Sequence, residues 1–245
     1  MDVAHLIPLL GAILVIAFLY SCVGHAGASG YIAVMALWGL APDVIRPTAL
    51  ILNILVALIG SYQFWAGGHF RWRLFWPFAV LSVPLAYIGG SIHLPARTLK
   101  ILIGIVLLFS SLRLIVRKSD PPDVSPPEYP VAIATGGVLG MLSGLTGTGG
   151  GIFLTPLLLF MKWARIKEAA AVSALFILVN SISGLTGFIT TNKSVPSLAL
   201  PLSFAAIVGG TLGSYLGSRR FPVRTISIIL AAVLLIAGLK LIFTV

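Results

Sequence analysis

A chain of 245 residues that is 58% hydrophobic and only 9% charged, with a mean hydropathy of +1.08, has no polar stretch long enough to bury a soluble core and reads as an integral membrane protein. Its net charge of +10 is scattered over short loops between apolar runs. That distribution excludes a nucleic-acid-binding face and leaves topology signals and phospholipid contacts as its meaning.

The apolar runs cover about 6–22, 30–41, 48–66, 74–93 and 98–116, then 131–147, 150–162, 168–190, 197–217 and 225–244. Met-Asp-Val-Ala-His at the N-terminus lacks the basic cluster of a cleaved signal peptide, so the first run is expected to be retained. Between the two sets of five lies Ser119-Asp-Pro-Pro-Asp-Val-Ser-Pro-Pro-Glu-Tyr-Pro130, whose prolines and acids cannot continue a helix. The chain therefore divides into a first membrane repeat (1–118), a Pro-rich linker (119–130) and a second membrane repeat (131–245).

Each repeat opens on a broken run. Residues 21–30, Ser-Cys-Val-Gly-His-Ala-Gly-Ala-Ser-Gly, interrupt the stretch from Leu6 to Ala41, and residues 143–152, Ser-Gly-Leu-Thr-Gly-Thr-Gly-Gly-Gly-Ile, interrupt that from Val131 to Met161. Five glycines within nine positions of the second knot work against an unbroken helix. Bare backbone at membrane depth is tolerated only where it is buried in protein or lines a cavity. A pair of Gly-broken segments at matching places in two halves points to a transporter's binding site. The runs 30–41 and 150–162 are about a dozen residues each, which suits half-helices.

The halves are related in sequence. Ala86-Tyr-Ile-Gly-Gly followed by Pro95-Ala-Arg-Thr-Leu matches Ser214-Tyr-Leu-Gly-Ser followed by Pro222-Val-Arg-Thr-Ile, and Ser111-Leu-Arg-Leu-Ile matches Gly238-Leu-Lys-Leu-Ile, at offsets near 127. The knots align at 121, with Gly30 on Gly151. If each broken run were a single crossing, the sixteen Lys and Arg would split 9 to 7. If each goes in and comes back, one side collects Arg71, Arg73, Arg113, Arg117, Lys118, Lys162, Arg165, Lys167, Arg219, Arg220 and Arg224. The other then keeps only Arg46, Arg97, Lys100, Lys193 and Lys240. The positive-inside rule favours the second arrangement, with inverted repeats and both termini outside. The fold expected is an all-α polytopic membrane protein of two inverted repeats of about five segments, with Gly-broken re-entrant or half helices at 6–41 and 131–162. Gly89, Gly90, Gly209, Gly210, Gly213 and Gly217 are read as packing glycines.

The groups able to reach the meeting point of the knots are His25, Ser29, Thr146 and Thr148, with the backbone of Gly27, Gly30, Gly149, Gly150 and Gly151. Asn53 and Asn180 are the polar additions from the helices that follow, and Ser173 lies near enough to join them. No acid or base is expected deep in a span; Asp43, Arg46, Lys167 and Glu168 fall at helix starts near the interfaces. A site without carboxylates is poorly made for a metal ion or Na⁺. Half-helix N-termini and hydroxyls suit a small anion instead. His25, the one ionisable side chain in either knot, is the proton-coupling candidate, against the plainer reading of a neutral histidine bonded to a carbonyl. Asn53 and Asn180 serve equally well as interhelical glue. No metal or cofactor is expected, and the lone Cys22 excludes an internal disulfide or paired-thiol centre.

Two look-alikes compete. Gly147-Thr-Gly149-Gly-Gly-Ile152 approaches the dinucleotide fingerprint, but lacks its third glycine and any parallel-sheet unit. Gly27-Ala28-Ser29-Gly30 has the form used by rhomboid-type intramembrane serine proteases, with His25 nearby, and is the alternative function.

Gly144-Leu-Thr-Gly-Thr-Gly-Gly-Gly151 followed by Pro156-Leu-Leu resembles the second-half signature of the TauE/SafE sulfite-exporter-type family, also called the toluene-sulfonate uptake permease family. Arg46-Pro-Thr-Ala-Leu and Gly67-Gly-His-Phe-Arg-Trp-Arg73 resemble its first-half helix start and following loop, and the likeness covers essentially the whole chain. The first knot departs from the pattern at His25 and Ala28. The resemblance implies a bacterial-type inner-membrane carrier of sulfite, organosulfonates or related organic acids, working by alternating access at a midplane site. Its expected partners are the small-molecule anion, the phospholipid bilayer and a second copy in a homodimer; one half is expected to rock against the other.

Overall fold

The computed structural model describes residues 3–92, 123–192 and 196–222, with residue 108 and isolated helical positions between 224 and 239. The expected segment 98–116 apart from residue 108, most of 225–244 and residues 119–122 of the linker lie outside the described residues. Among the described residues every regular element is helical. They are α1 (Val3–Ser21), α2 (Ala28–Leu37), α3 (Pro42–Ala66), α4 (Trp72–Ser91), α5 (Tyr129–Thr146), α6 (Gly151–Phe160), α7 (Ile166–Asn192) and α8 (Ala199–Tyr215), which runs into a π-helical turn at Leu216–Arg220. Helices α3, α4, α5, α7 and α8 with its π turn are long and apolar enough to cross a bilayer.

Local chemistry sets the boundaries. Pro42 opens α3 where its missing N–H is not needed, with Asp43 favourably placed in the first turn. Pro130 does the same for α5 after the extended Glu128. Gly147, at φ +74°, closes α5 with its N–H donating to the Ser143 carbonyl at 2.8 Å. Gly149 (φ +76°) and Gly150 (φ +80°) then reverse the chain.

Both broken runs fold as helical hairpins. From that reversal α6 runs back along α7, with Gly149 beside Ser181, Gly151 against Ile177 and Thr155 bonded to Ser173. The Lys162 carbonyl then accepts from the Ser125 amide at 3.2 Å, so the chain emerges where α5 began. In the first half, Gly24 (φ +76°) and Gly27 (φ +108°) make the turn. Gly30 packs on Ile16 and Tyr20 of α1, and Leu40 returns to line a cleft shared with Leu6.

Glycine decides how the long helices meet. Gly136, Gly140 and Gly144 of α5 lie on the backbone of Phe78, Ser82 and Ala86 in α4; Gly209, Gly213 and Gly217 lie on Leu14, Phe18 and Cys22 at the other seam. At each of these positions a Cβ would meet the facing carbonyl oxygen, so only glycine permits the approach. The packing role expected of Gly209, Gly213 and Gly217 is therefore what the geometry displays, as it is for Gly89 on Met141, Gly90 on Gly184 and Gly210 on Val56. In both seams the numbers rise together, so α4 runs parallel to α5 and α1 parallel to α8. Between the seams cross α3 and α7, where Leu50 meets Gly184, Asn53 meets Ser181 and Gly60 meets Ala174. There the numbers run in opposite senses, and the two helices are antiparallel.

Each close pair joins helices from opposite sides of the linker. At one end of the bundle, Arg71 pairs with Glu168 at 2.8 Å, while His69 (3.1 Å) and Lys167 (3.2 Å) both reach the Ser218 carbonyl. These contacts gather the loops that also carry Lys162, Arg165, Arg219 and Arg220.

Candidate functional site

The second knot is seated on the middle of the α3–α7 crossing. A Cβ on Gly149 would lie 2.7 Å from Ile177, 2.8 Å from Ser181 Oγ and 2.9 Å from Asn53 Nδ2. Asn53 Nδ2 donates to Ser181 Oγ at 3.4 Å, and both residues are fully buried. Asn53 Oδ1, Ser143 Oγ and Thr48 Oγ1 are buried polar atoms without a partner among the described residues, a costly condition for apolar surroundings. Gly150 lies beside Phe176 and Ser143, and Gly151 beside Ile177 and the Ser173 carbonyl. The first amides of α6 have no intrahelical carbonyl to bond and carry the positive end of the helix dipole. Thr148 is 8% exposed, and its hydroxyl shares a 2.8 Å hydrogen bond with Thr146, which also donates back to the Leu142 carbonyl at 2.7 Å.

The first knot supplies a second polar cluster. His25 Nε2 and Thr155 Oγ1 are 2.8 Å apart, and Thr155 donates to Ser173 Oγ at 2.7 Å. The other ring nitrogen, Nδ1, is buried and has no hydrogen-bond partner among the described residues. His25 thus ties the loop of the first hairpin to the half-helix of the second. Ser29 does not join it, because its hydroxyl bonds Tyr20 OH at 2.9 Å. Gly27 faces the Tyr31 ring, and Tyr31 OH donates to the Ala26 carbonyl at 2.5 Å. Gly30 is occupied with helix packing on Ile16 and Tyr20.

Asn180 is placed differently from Asn53. Its Oδ1 accepts from Ser82 of α4 at 2.5 Å and its Nδ2 donates back to the Phe176 carbonyl one turn earlier in α7 at 2.8 Å, so one end of the amide joins two helices and the other is spent within its own. The structure also brings in residues that sequence reasoning passed over: Thr155, Ser181, Ser143 and Arg46. From sequence, Arg46 belongs at a membrane interface. At the start of α3, its guanidinium turns onto the ends of two neighbouring helices, donating to the carbonyls of Gly89 (2.8 Å), Gly90 (2.9 Å), Ile92 (3.2 Å) and Gly144. Its stem rests on Gly147 of the second knot. The signal available in sequence was its spacing of seven residues before Asn53, two turns along one helix. Among the described residues no three His, Cys, Asp or Glu side chains gather as a metal site would require.

Comparison with known proteins gives a consistent picture. A curated protein of Sinorhizobium fredii described as "Probable membrane transporter protein y4hK" is 40% identical over 237 residues, covering 95% of this chain and 96% of that one. The probable membrane transporter protein MJ0441 of Methanocaldococcus jannaschii is 27% identical over 78% of this chain and 76% of its own. The probable membrane transporter protein YjnA of Bacillus subtilis is 28% identical over 89% and 92%. No solved structure gives a significant match. The family model "Sulfite exporter TauE/SafE" matches residues 9–241, and with a full-length relative at this identity, the chain belongs to the TauE/SafE family of membrane transporters, not to the enzymes.

Proposed function

We propose that this transporter carries a small oxyanion, sulfite or an organosulfonate or a related organic acid, by alternating access through a site shared by the two knots. The observation that carries the reading is the seat of the second knot. The free amides of a half-helix start at the centre of two crossing spans, beside Asn53 and with buried polar atoms left without partners. Backbone donors at a helix N-terminus hold an oxyanion without burying a fixed cation. Thr148, Gly149, Gly150 and Gly151 are its donors in this reading, with Asn53 beside Gly149, and His25, tied to Thr155 one turn further along α6, is the proton acceptor through Nδ1. Asn180, Ser29, Gly30 and Thr146 support the walls.

Inverted repeats fit the same contacts. The equivalent helices α3 and α7 are antiparallel, and each hairpin returns to the end where it began. The basic loops around Arg71, Arg165 and Arg219 then face the cytoplasm of a bacterial-type inner membrane, and the termini face out. Because the glycine seams unite α1 with α8 and α4 with α5, the moving bodies are these mixed pairs and not the sequence halves.

The test is transport by the purified chain in proteoliposomes, with sulfite, sulfoacetate, taurine and short carboxylates as probes. Thr148→Val keeps shape and removes one hydroxyl, for a loss of about 1–3 kcal/mol if its partner is left unreplaced. The expected result is an apparent affinity weaker by roughly tenfold, with normal insertion. Unchanged affinity and rate would move the site away from the knots.

A further inference from the structure

Arg46 is the most unusual charge in the described structure. Its guanidinium lies 5.5 Å over the Phe188 ring and is held by four main-chain carbonyls and, among the described residues, by no carboxylate: Gly89, Gly90 and Ile92 at the end of α4, and Gly144 in the last turn of α5. The nearest acid along its helix, Asp43, is exposed, and the one ion pair among the described residues joins Arg71 to Glu168. Arg46 Nε is buried and has no acceptor. The partial negative charge of two helix C-termini favours the cation here, yet a guanidinium offers five donors in a planar fork suited to a bidentate oxyanion. The carbonyls leave part of that fork free.

The other end of the bundle repeats the device. Lys167, half-buried at the start of α7, donates to the Ser218 carbonyl at 3.2 Å. Arg46 and Lys167 are separated by 121 residues, the offset that aligns the knots, and Gly90 and Ser218 occupy matching places in the Ala86–Gly90 and Ser214–Ser218 segments. Since α3 and α7 are antiparallel, their first turns lie at opposite ends. Each cation also stands about two turns outside a polar cluster. Arg46 is seven residues from Asn53, roughly 10 Å at 1.5 Å per residue. Lys167 is six residues from Ser173, roughly 9 Å by the same rise.

We propose that Arg46 and Lys167 are paired anion contacts at the two opposite mouths of the transport path, each exchanging its helix C-terminal carbonyls for the incoming oxyanion. This rests on the anion-carrier reading above. When the anion arrives, the cation leaves the carbonyls it holds, and the helix end it was pinning is released. Arg46 thereby frees the ends of α4 and α5 at its mouth, and Lys167 loosens the π turn after α8 at the other, leaving the Ser218 carbonyl to His69 alone. The exchange is ionic and conformational, with no bond made or broken.

Right-side-out and inside-out membrane vesicles carrying the full chain test this, with labelled sulfite and sulfoacetate as probes and KM read separately at each face. Arg46→Gln should raise KM at least fivefold at the Arg46 mouth and less than twofold at the other; Lys167→Gln should do the reverse. Arg46→Lys keeps the charge but not the fork, should recover part of the affinity, and serves as the readout if Arg46→Gln inserts poorly. If these variants lower the rate equally at both faces with KM unchanged, the cations only cap helices and the proposal is overturned. If the parental chain shows no saturable uptake of either probe in either vesicle type, the anion-carrier reading itself fails, which is a separate result.

Discussion

Gly149 and Gly68 share a φ of +76° but not their surroundings, and the pair separates backbone strain from crowding at the knot. A Cβ on Gly68 meets nothing within 4 Å, so Gly68→Ala carries only the cost of a left-handed L-residue, about 1–2 kcal/mol. A Cβ on Gly149 would stand 2.7 Å from Ile177 Cγ2, 2.8 Å from Ser181 Oγ and 2.9 Å from Asn53 Nδ2. Those neighbours belong to two spans packed on each other and cannot all retreat. Overpacking of this kind adds about 1–3 kcal/mol. Gly149→Ala should therefore be destabilised beyond Gly68→Ala by that amount, roughly a 5- to 150-fold difference in unfolding equilibrium. Denaturation in mixed detergent and dodecyl sulfate, followed by tryptophan fluorescence, reads both variants directly. Sulfite transport should fall in Gly149→Ala and persist in Gly68→Ala. Equal unfolding of the two would refute the tight seat of the knot on Asn53 and Ser181.

Ser82→Ala strips the donor from Asn180 Oδ1 and should destabilise the chain by about 1–3 kcal/mol while leaving substrate KM in place; a tenfold rise in KM would return Asn180 to the site. On a Cys22→Ala background, cysteines replacing Arg71, Lys162 and Arg219 should label from one face of the membrane and a cysteine replacing Asp43 from the other. Labelling of the Asp43 and Arg71 positions, which flank α3, from the same face would mean that α3 does not cross the membrane.

The hairpins were legible because glycine is a strong signal against helix in an apolar run. Gly147, Gly149 and Gly150 fall where the chain adopts positive φ, and Gly24 and Gly27 do the same in the first knot. The six packing glycines were legible for a related reason, since a residue without a side chain in a span is there for what approaches it. What escaped was partnership across long separations. Nothing local distinguishes Asn53, whose carbonyl oxygen is left bare, from Asn180, whose amide is consumed by Ser82 and Phe176. Thr155 looked like one more residue of an apolar half-helix until His25, 130 positions away, was placed beside it. Arg46 stands at the start of α3 as expected, but position in a helix does not say which way a long side chain turns or which carbonyls it meets.

The same separation in sequence governs which parts of the molecule can move together. At the α4–α5 and α1–α8 seams, glycine backbone lies directly on carbonyl-bearing backbone at three successive turns. Sliding either seam would lift every one of those contacts at once, because close-packed surfaces have few intermediate arrangements. The α3–α7 crossing is of another kind. A Cβ on Gly60 would sit 3.9 Å from Ala174, one on Gly184 would sit 3.9 Å from Leu50, and the Asn53–Ser181 hydrogen bond is long at 3.4 Å. Small residues at van der Waals distance lose little when they shift against each other. At these positions the α3–α7 crossing is looser than either seam, although the knot seated on it fits closely. Once Arg46 releases the ends of α4 and α5, a displacement at that crossing would change the surroundings of Gly149 and Asn53 while the glycine contacts of both seams stay in place, as the alternating-access reading proposed above requires.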